Sequence, residues 1–333
     1  MQDTHISLAH GNGGRYMREL IEELFAKYLG NPELDVQADA ATINPGDGQL
    51  LFTTDGFTVQ PLEFPGGNIG SLAVHGTAND LAVAGAVPKY LSLNAFIEEG
   101  MEIAVLERII RSLAEAAAAI DVKVVAGDTK VLRRGEGGGL YLATAGIGVR
   151  QGATMSIGNI QDGDAIVVSG PVGDHGIAVM LAREEFGLQG DIQSDAASVL
   201  NLTTRALQFD GLHFMRDPTR GGIATVCSEI QRATGMGIRL QENDLPVRDA
   251  VQSVCDMLGY DPMYLACEGR VVAFIEAGQA DDLLQAWKRI DEGREAAIIG
   301  SVDRNIQQVI MQTELGGERL LDELEDDPLP RIC

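Results

Sequence analysis

Apolar and polar positions follow two periods along this chain, and each change of period marks an element. Met17, Leu20, Ile21, Leu24, Phe25 and Tyr28 recur at helical spacing directly after His10-Gly11-Asn12-Gly13-Gly14, which predicts a helix opened by a glycine loop. Residues 30–48 are rich in Asn, Pro, Asp and Gly and read as a loop. Gln49-Leu50-Leu51-Phe52-Thr53-Thr54-Asp55 follows as a strand with a carboxylate at its end. Ile69 to Ala86 is an apolar helix that carries Asn79-Asp80. Lys89 to Ile97 reads as a strand, and Ile103, Leu106, Ile110, Leu113, Ala117 and Ile120 form the stripe of a long amphipathic helix. Val122 to Lys130 is a strand ending in Asp128, Thr129 and Lys130, and Leu140 to Val149 is another, closing a first domain near residue 150.

The second half repeats the alternation. Asp164 to Gly170 reads as a buried strand, with Gly173-Asp174-His175-Gly176 leading into a helix. His175 at that helix start reads as a cap or surface residue without a catalytic role. Phe214-Met215-Arg216-Asp217-Pro218-Thr219-Arg220-Gly221-Gly222 is again a strand delivering a carboxylate into a glycine turn before a helix, Ile223 to Thr234. Val271–Ile275, Ala296–Val302 and Ile306–Met311 supply strands, and Ala280–Ile290 a helix. Strands and helices interleave in both halves, so the fold class is α/β (α+β). The predicted organisation is an N-terminal glycine loop and helix (1–34), a domain over 35–150, an α/β domain over 151–320 and a flexible tail over 321–333.

Composition narrows the classes of function. Hydrophobic residues at 45% and charged residues at 22% of 333 describe a soluble globular chain of about two domains. Lys+Arg 25 against Asp+Glu 49 leaves a net charge of −24, a field that repels nucleic acid and anionic membrane. The polar start Met1-Gln2-Asp3-Thr4-His5 does not resemble a signal peptide, and no apolar run approaches the about 18 residues of a membrane span. A cytoplasmic protein is expected. Cysteines at 227, 255, 267 and 333 lack metal or disulfide spacing. Cys227 and Cys255 fall on apolar helical faces and read as small buried hydrophobes. Cys267 is followed by Glu268, which leaves its role open. Cys333 ends the chain behind Pro328-Leu329-Pro330-Arg331-Ile332 and the acidic run 322–327, a tether that composition keeps in solvent.

Asp55, Asp80, Asp128 and Asp217 are the candidate chemistry, three of them read at strand ends, where open α/β folds place ligands. Carboxylates are the hard ligands that magnesium prefers, and magnesium commonly shares its shell with phosphate. Such ions would offset the repulsion between an acidic protein and a nucleotide. Asp80 is equally readable as a satisfied polar group in a core, and Gly11-Asn12-Gly13-Gly14 either presents N–H groups to phosphate or simply turns the chain. No Walker-type loop is present, so a nucleotide site must be of another kind.

Phe64-Pro65-Gly66-Gly67-Asn68-Ile69-Gly70, Gly76-Thr77-Ala78-Asn79-Asp80-Leu81-Ala82-Val83, Gly127-Asp128-Thr129-Lys130-Val131, Arg216-Asp217-Pro218-Thr219-Arg220-Gly221-Gly222 and the terminal Pro330-Arg331-Ile332-Cys333 together resemble the HypE family of hydrogenase maturation proteins. That family shares an ATP-binding superfamily with aminoimidazole ribonucleotide synthetase, selenophosphate synthetase and thiamine monophosphate kinase. The resemblance runs along essentially the whole chain, and the terminal motif singles out HypE.

The resemblance implies a two-domain synthetase-like fold whose first domain, with a mixed sheet, forms a homodimer. It implies ATP-dependent dehydration of a carboxamide carried on Cys333 to a thiocyanate, the source of cyanide for the iron of [NiFe] hydrogenase. Asp55, Asp80, Asp128 and Asp217 would hold Mg2+, while Gly11, Asn12, Gly13, Gly14, Asn68 and Thr129 would bind ATP. Lys130 and Glu268 would remove the nitrogen proton. HypF would donate the carbamoyl group and a HypC-HypD complex would accept the cyanide. Gly56 stands where relatives commonly have serine, so no hydroxyl is assigned there. The rival readings are phosphorylation of a free small molecule and a non-catalytic thiol carrier.

Overall fold

The computed structural model describes residues 3–323 except 13, 37, 39 and 184–189. They form two compact units divided after Arg150, with Ala82–Gly85 counted in the second.

In the first unit, α1 (Arg15–Leu20) passes through a π turn into α2 (Ala26–Leu29), one continuous run that buries Leu20, Leu24, Phe25 and Leu29. β1 (Leu50–Phe57) follows, then a short pair β2 (Glu63–Phe64) and β3 (Gly67–Asn68). Asn68 Oδ1 then accepts from Gly70 N and Ser71 N, capping α3 (Ile69–Val83). Next come β4 (Ala86–Glu98), α4 (Ile103–Ala119), β5 (Lys123–Leu132) and β6 (Leu140–Arg150). The stripe of α4 buries Ile103, Leu106, Ile109, Ile110, Leu113, Ala116 and Ala117. A Cβ at Gly70 would stand 2.3 Å from Ile109 O, so only glycine lets α3 approach α4 this closely.

The strands form a sheet in the order β1-β6-β4-β5, parallel between β4 and β5 and antiparallel elsewhere. The expected mixed sheet is therefore present. β1 alternates strictly: Thr53, Asp55 and Phe57 face inward, while Leu50 and Phe52 are 51% and 70% exposed on the other face. Asp55 is not at the strand end, as the sequence suggested. β6 pairs β1 residue by residue through Phe57, so Asp55 lies inside the ladder opposite Thr144. Asp128 likewise lies within β5.

The second unit holds β7 (Ala165–Val168), α5 (Asp174–Ala182), α6 (Leu200–Ala206), β8 (Leu212–Arg216), α7 (Gly222–Thr234), β9 (Gly237–Gln241), α8 (Asp249–Leu258), β10 (Val272–Ile275), α9 (Ala280–Trp287), β11 (Ala297–Asp303), β12 (Val309–Gln312) and β13 (Glu318–Leu320). Its sheet runs β13-β12-β9-β11-β7-β10-β8. Both faces of the central strands are covered. Ile166, Val168, Val272 and Phe274 pack with α7 in one core, while Ala165, Val167, Ala273 and Ile275 pack with Leu202, Leu283 and Trp287 in another. Uninterrupted apolar strands are what two covered faces require. Among the described residues no helix is long and apolar enough to cross a membrane.

Candidate functional site

The first unit brings two of the four aspartates together. Asp80 lies on α3 and its Oδ2 accepts from Thr53 Oγ1 on β1 at 2.8 Å, so the charge in that apolar helix is met from the sheet. A Cβ at Gly76 would stand 3.5 Å from Asp55 Oδ2. Gly76 and Asp80 are four residues apart on the same helical face, and Asp55 and Asp80 therefore share the seam between β1 and α3.

Asp128 sits elsewhere. Its register row runs through Asn94 and Ala143 to Gly56, whereas that of Asp55 runs through Thr144 and Leu93 to Gly127. Successive residues of a strand face opposite sides, and three strand spacings separate β1 from β5, about 14 Å. Asp55 and Asp128 thus occupy opposite faces and opposite edges of one sheet. Among the described residues no three Asp, Glu, His or Cys side chains are grouped to hold a metal ion.

Asp128 Oδ1 accepts from Thr129 N at 2.8 Å, and Lys130 Nζ lies 2.9 Å from its Oδ2. That lysine, more than any other neighbour, holds the Asp128 carboxyl below its usual range, and the residue is ionised at neutral pH. The glycine loop lies against the same strand, where a Cβ at Gly11 would come within 2.9 Å of Val131 Cβ. Asn12 follows in this loop and Gly14 precedes α1, while Gly13 lies outside the described residues. Beside β5 is a cavity of about 170 Å³, lined by apolar groups including Phe25, Leu29, Leu93 and Val124, and by Gly127, Asp128 and Thr129. Thr129 Oγ1 is buried there without a hydrogen-bond partner. A largely apolar cavity with a carboxylate at its border is the kind of place where a flat apolar ring can sit beside a charged group.

The second unit brings Asp217 and Glu268 together. Asp217 directly follows β8 and is 7% exposed; Glu268 is 4% exposed. Cys267 N donates to Pro218 O at 3.0 Å, tying the two loops. Gly222, at φ 59°, lacks the Cβ that would meet Met263 O and Leu265 O at 2.6 Å. Asp195 accepts from both Glu268 N (3.2 Å) and Gly269 N (3.3 Å), and Arg270 Nε lies 3.3 Å from its Oδ2. Arg270 also approaches Asp174 Oδ2 at 3.6 Å, a carboxyl raised by burial. His175 is fully buried rather than exposed, with Nδ1 2.8 Å from Ser194 Oγ. Its burial follows from α5 being enclosed on all sides, from Asp174 to Met180.

Cys227, Cys255 and Cys267 are free and buried. Burial pushes the first two thiols up to about 12 and the third well above its ordinary value. Cys333 lies outside the described residues. Thr53 and Asp195 were not singled out in the sequence, because each acts on a partner far along the chain.

Residues 37–150 match the model of the AIR synthase related protein N-terminal domain, and 161–310 that of the C-terminal domain. The carbamoyl dehydratase HypE of Azotobacter vinelandii is 43% identical over 336 residues, covering 100% of this chain and 98% of that protein. A crystal structure of hydrogenase maturation protein HypE in complex with ATP superposes with a TM-score of 0.92 at 40% identity, covering 98% of this chain and 99% of the other. A HypE-HypF complex gives 0.81 at 43% identity over 92% and 99%. The chain belongs to the HypE family of carbamoyl dehydratases, built from the two AIR synthase related domains.

Proposed function

We propose that this chain dehydrates an S-carboxamide on its own Cys333 to a thiocyanate, using ATP, and so supplies cyanide for the iron of a [NiFe] hydrogenase. The observation that carries the reading is the buried pair of loops in the second unit, a carboxylate of metal-ligand type at Asp217 beside a sequestered base at Glu268. Its context is a chain whose relatives include HypE bound to ATP and HypE bound to HypF.

The residues divide the work. An amide oxygen is a poor leaving group; once it attacks the γ-phosphorus of ATP, with ADP departing, it can leave as phosphate. The nitrogen gives up both protons as the C≡N bond forms; Glu268 takes one, the departing phosphate carries the other, and Lys130 steadies negative charge as it develops. Per turnover, R–S–C(O)NH2 and ATP become R–S–CN, ADP and phosphate, with the amide oxygen ending in the phosphate. Asp55, Asp80, Asp128 and Asp217 would hold Mg2+, which supplies charge neutralisation on the phosphates. Gly11, Asn12, Gly13, Gly14 and Thr129 would line the nucleotide, while Asn68 fixes the start of the helix carrying Asp80.

Functionally the chain divides into the glycine loop and helix 1–34, the nucleotide domain 35–150, the α/β domain 151–320 and the carrier tail 321–333. HypF is the carbamoyl donor and a HypC-HypD complex the cyanide acceptor, met in the cytoplasm. Intact mass after incubation with the donor, carbamoyl phosphate and ATP tests the reading. One carbamoyl adduct, mapped to Cys333, should form and then lose the mass of water only with ATP; Cys333→Ala should acquire none. A stable adduct unaffected by ATP would make the chain a passive carrier, and ATP turnover without any adduct would make it a kinase of free molecules.

A homodimer completes the proposal. Leu50 and Phe52 leave apolar area on an open sheet face, and Asp55 and Asp128 on opposite edges call for a second copy to bring such edges together. Light scattering should give a dimer for the parent chain and a monomer for Phe52→Asp; a monomeric parent would remove this element.

A further inference from the structure

We infer that Asp195 is a positioning residue for Glu268, holding the loop that carries the base through two successive backbone N–H groups. The inference rests on the reading of Glu268 as the base. A catalytic carboxylate on a loop must be held to a fraction of an ångström, and loops need outside partners for that.

Around Glu268 those partners are all present. Cys267 N is held by Pro218 O, Glu268 N and Gly269 N by the two oxygens of Asp195, and Val271 N by Ser169 Oγ at 2.9 Å. Among the described residues, Asp195 is the one side chain that holds both amides flanking the Cα of the base. Its own side chain is fully buried, so water does not compete for these bonds. The approach is as close as backbone allows, since a Cβ at Gly269 would fall 1.9 Å from Asp195 O. Asp195 is in turn fixed from three sides. Arg270 Nε faces Oδ2, Ser194 Oγ accepts from Ala196 N at 3.0 Å, and the same hydroxyl bonds His175 Nδ1. Arg270 is itself anchored by donating to Pro171 O at 2.9 Å. Buried ion pairs of this kind contribute little net stability but fix geometry. Asp195 touches no reacting atom; it acts through Glu268.

Single-turnover conversion of the Cys333 carboxamide, followed by intact mass in the full chain, tests this. Asp195→Asn keeps the shape, but its amide group must oppose either an N–H or the Arg270 guanidinium. Conversion should slow by about 10- to 100-fold, with the MgATP concentration for half-maximal rate unchanged. The double variant D195N/E268Q should be no slower than E268Q alone, because residues acting through one group are not additive. Parent kinetics in D195N, or slowing that multiplies in the double variant, would overturn the inference. E268Q at the parent rate would instead overturn the reading of Glu268 beneath it. Should D195N not fold, Ser194→Ala decides: it leaves the carboxylate and removes only its brace, and should show the same split at smaller size. Parent kinetics there would reject the positioning role.

Discussion

Asp80→Asn and Asp128→Asn should each lower ATP turnover by at least about a hundredfold while leaving the chain folded. The two variants test different edges of the sheet. At Asp80 the substituted amide oxygen can still accept from Thr53 Oγ1, so the seam between β1 and α3 survives and only the charge offered to a cation is lost. At Asp128 the carboxylate is exposed and its ion pair with Lys130 is exposed too, a class of pair worth at most about 1 kcal/mol. Neither loss should unfold the protein. Magnesium dependence of the residual rate is the second measurement, because a lost ligand shifts the required concentration upward. A folded D80N or D128N variant with the parent rate and the parent magnesium requirement would exclude that residue from the metal site.

Glu268→Gln and Lys130→Ala separate binding from chemistry. Both should bind MgATP, and both should accumulate the carboxamide on Cys333 instead of passing it on. Loss of a general base costs roughly 10²- to 10⁴-fold, so in E268Q the water-loss step should be slower by that order. In the proposed mechanism Lys130 would act through charge, and its partner in the structure is Asp128 Oδ2. Were Asp128 to hold a cation as proposed, the amine would lose this partner and become available to the reacting groups. K130A should therefore bind MgATP at least as well as the parent chain yet convert more slowly. Calorimetry for binding and intact mass for conversion give the two readouts. Normal conversion in both variants would remove the pair from the mechanism.

Helices with a clean stripe were readable in the sequence. Of the stripe Ile103, Leu106, Ile110, Leu113, Ala117 and Ile120, the first five are buried on α4, whereas Ile120 falls at the helix C-cap and is half-buried. The strands β6 and β10 were also placed within a residue or two. Short or locally ambiguous segments were not read. β9 and β13 are five and three residues long and take their strand character from neighbours. β12 begins at Val309 rather than Ile306, because Asn305 turns back on Asp303 through its N–H and side-chain amide. The candidate site was legible as residue types but not as arrangement. Asp80 finds Thr53 27 residues earlier and Glu268 finds Asp195 73 residues earlier, and spacing carries no record of such encounters. Nor does spacing show that Asp55 and Asp128 face opposite sides of a sheet, since that depends on register across β6 and β4.

The burial of Cys227, Cys255 and Cys267 has a consequence for fidelity. Thiolate is the nucleophile in acyl and carbamoyl capture. A thiol near 12 is ionised at neutral pH to roughly one part in 10⁵, against a few parts in a hundred for a cysteine at its ordinary value of about 8.5. The ratio is of the order of a thousandfold before steric access is counted. On the proposed reading, regioselectivity would be secured by subtraction: the packing of the second domain silences Cys227, Cys255 and Cys267, which leaves a donor three fewer sulfurs to tell apart.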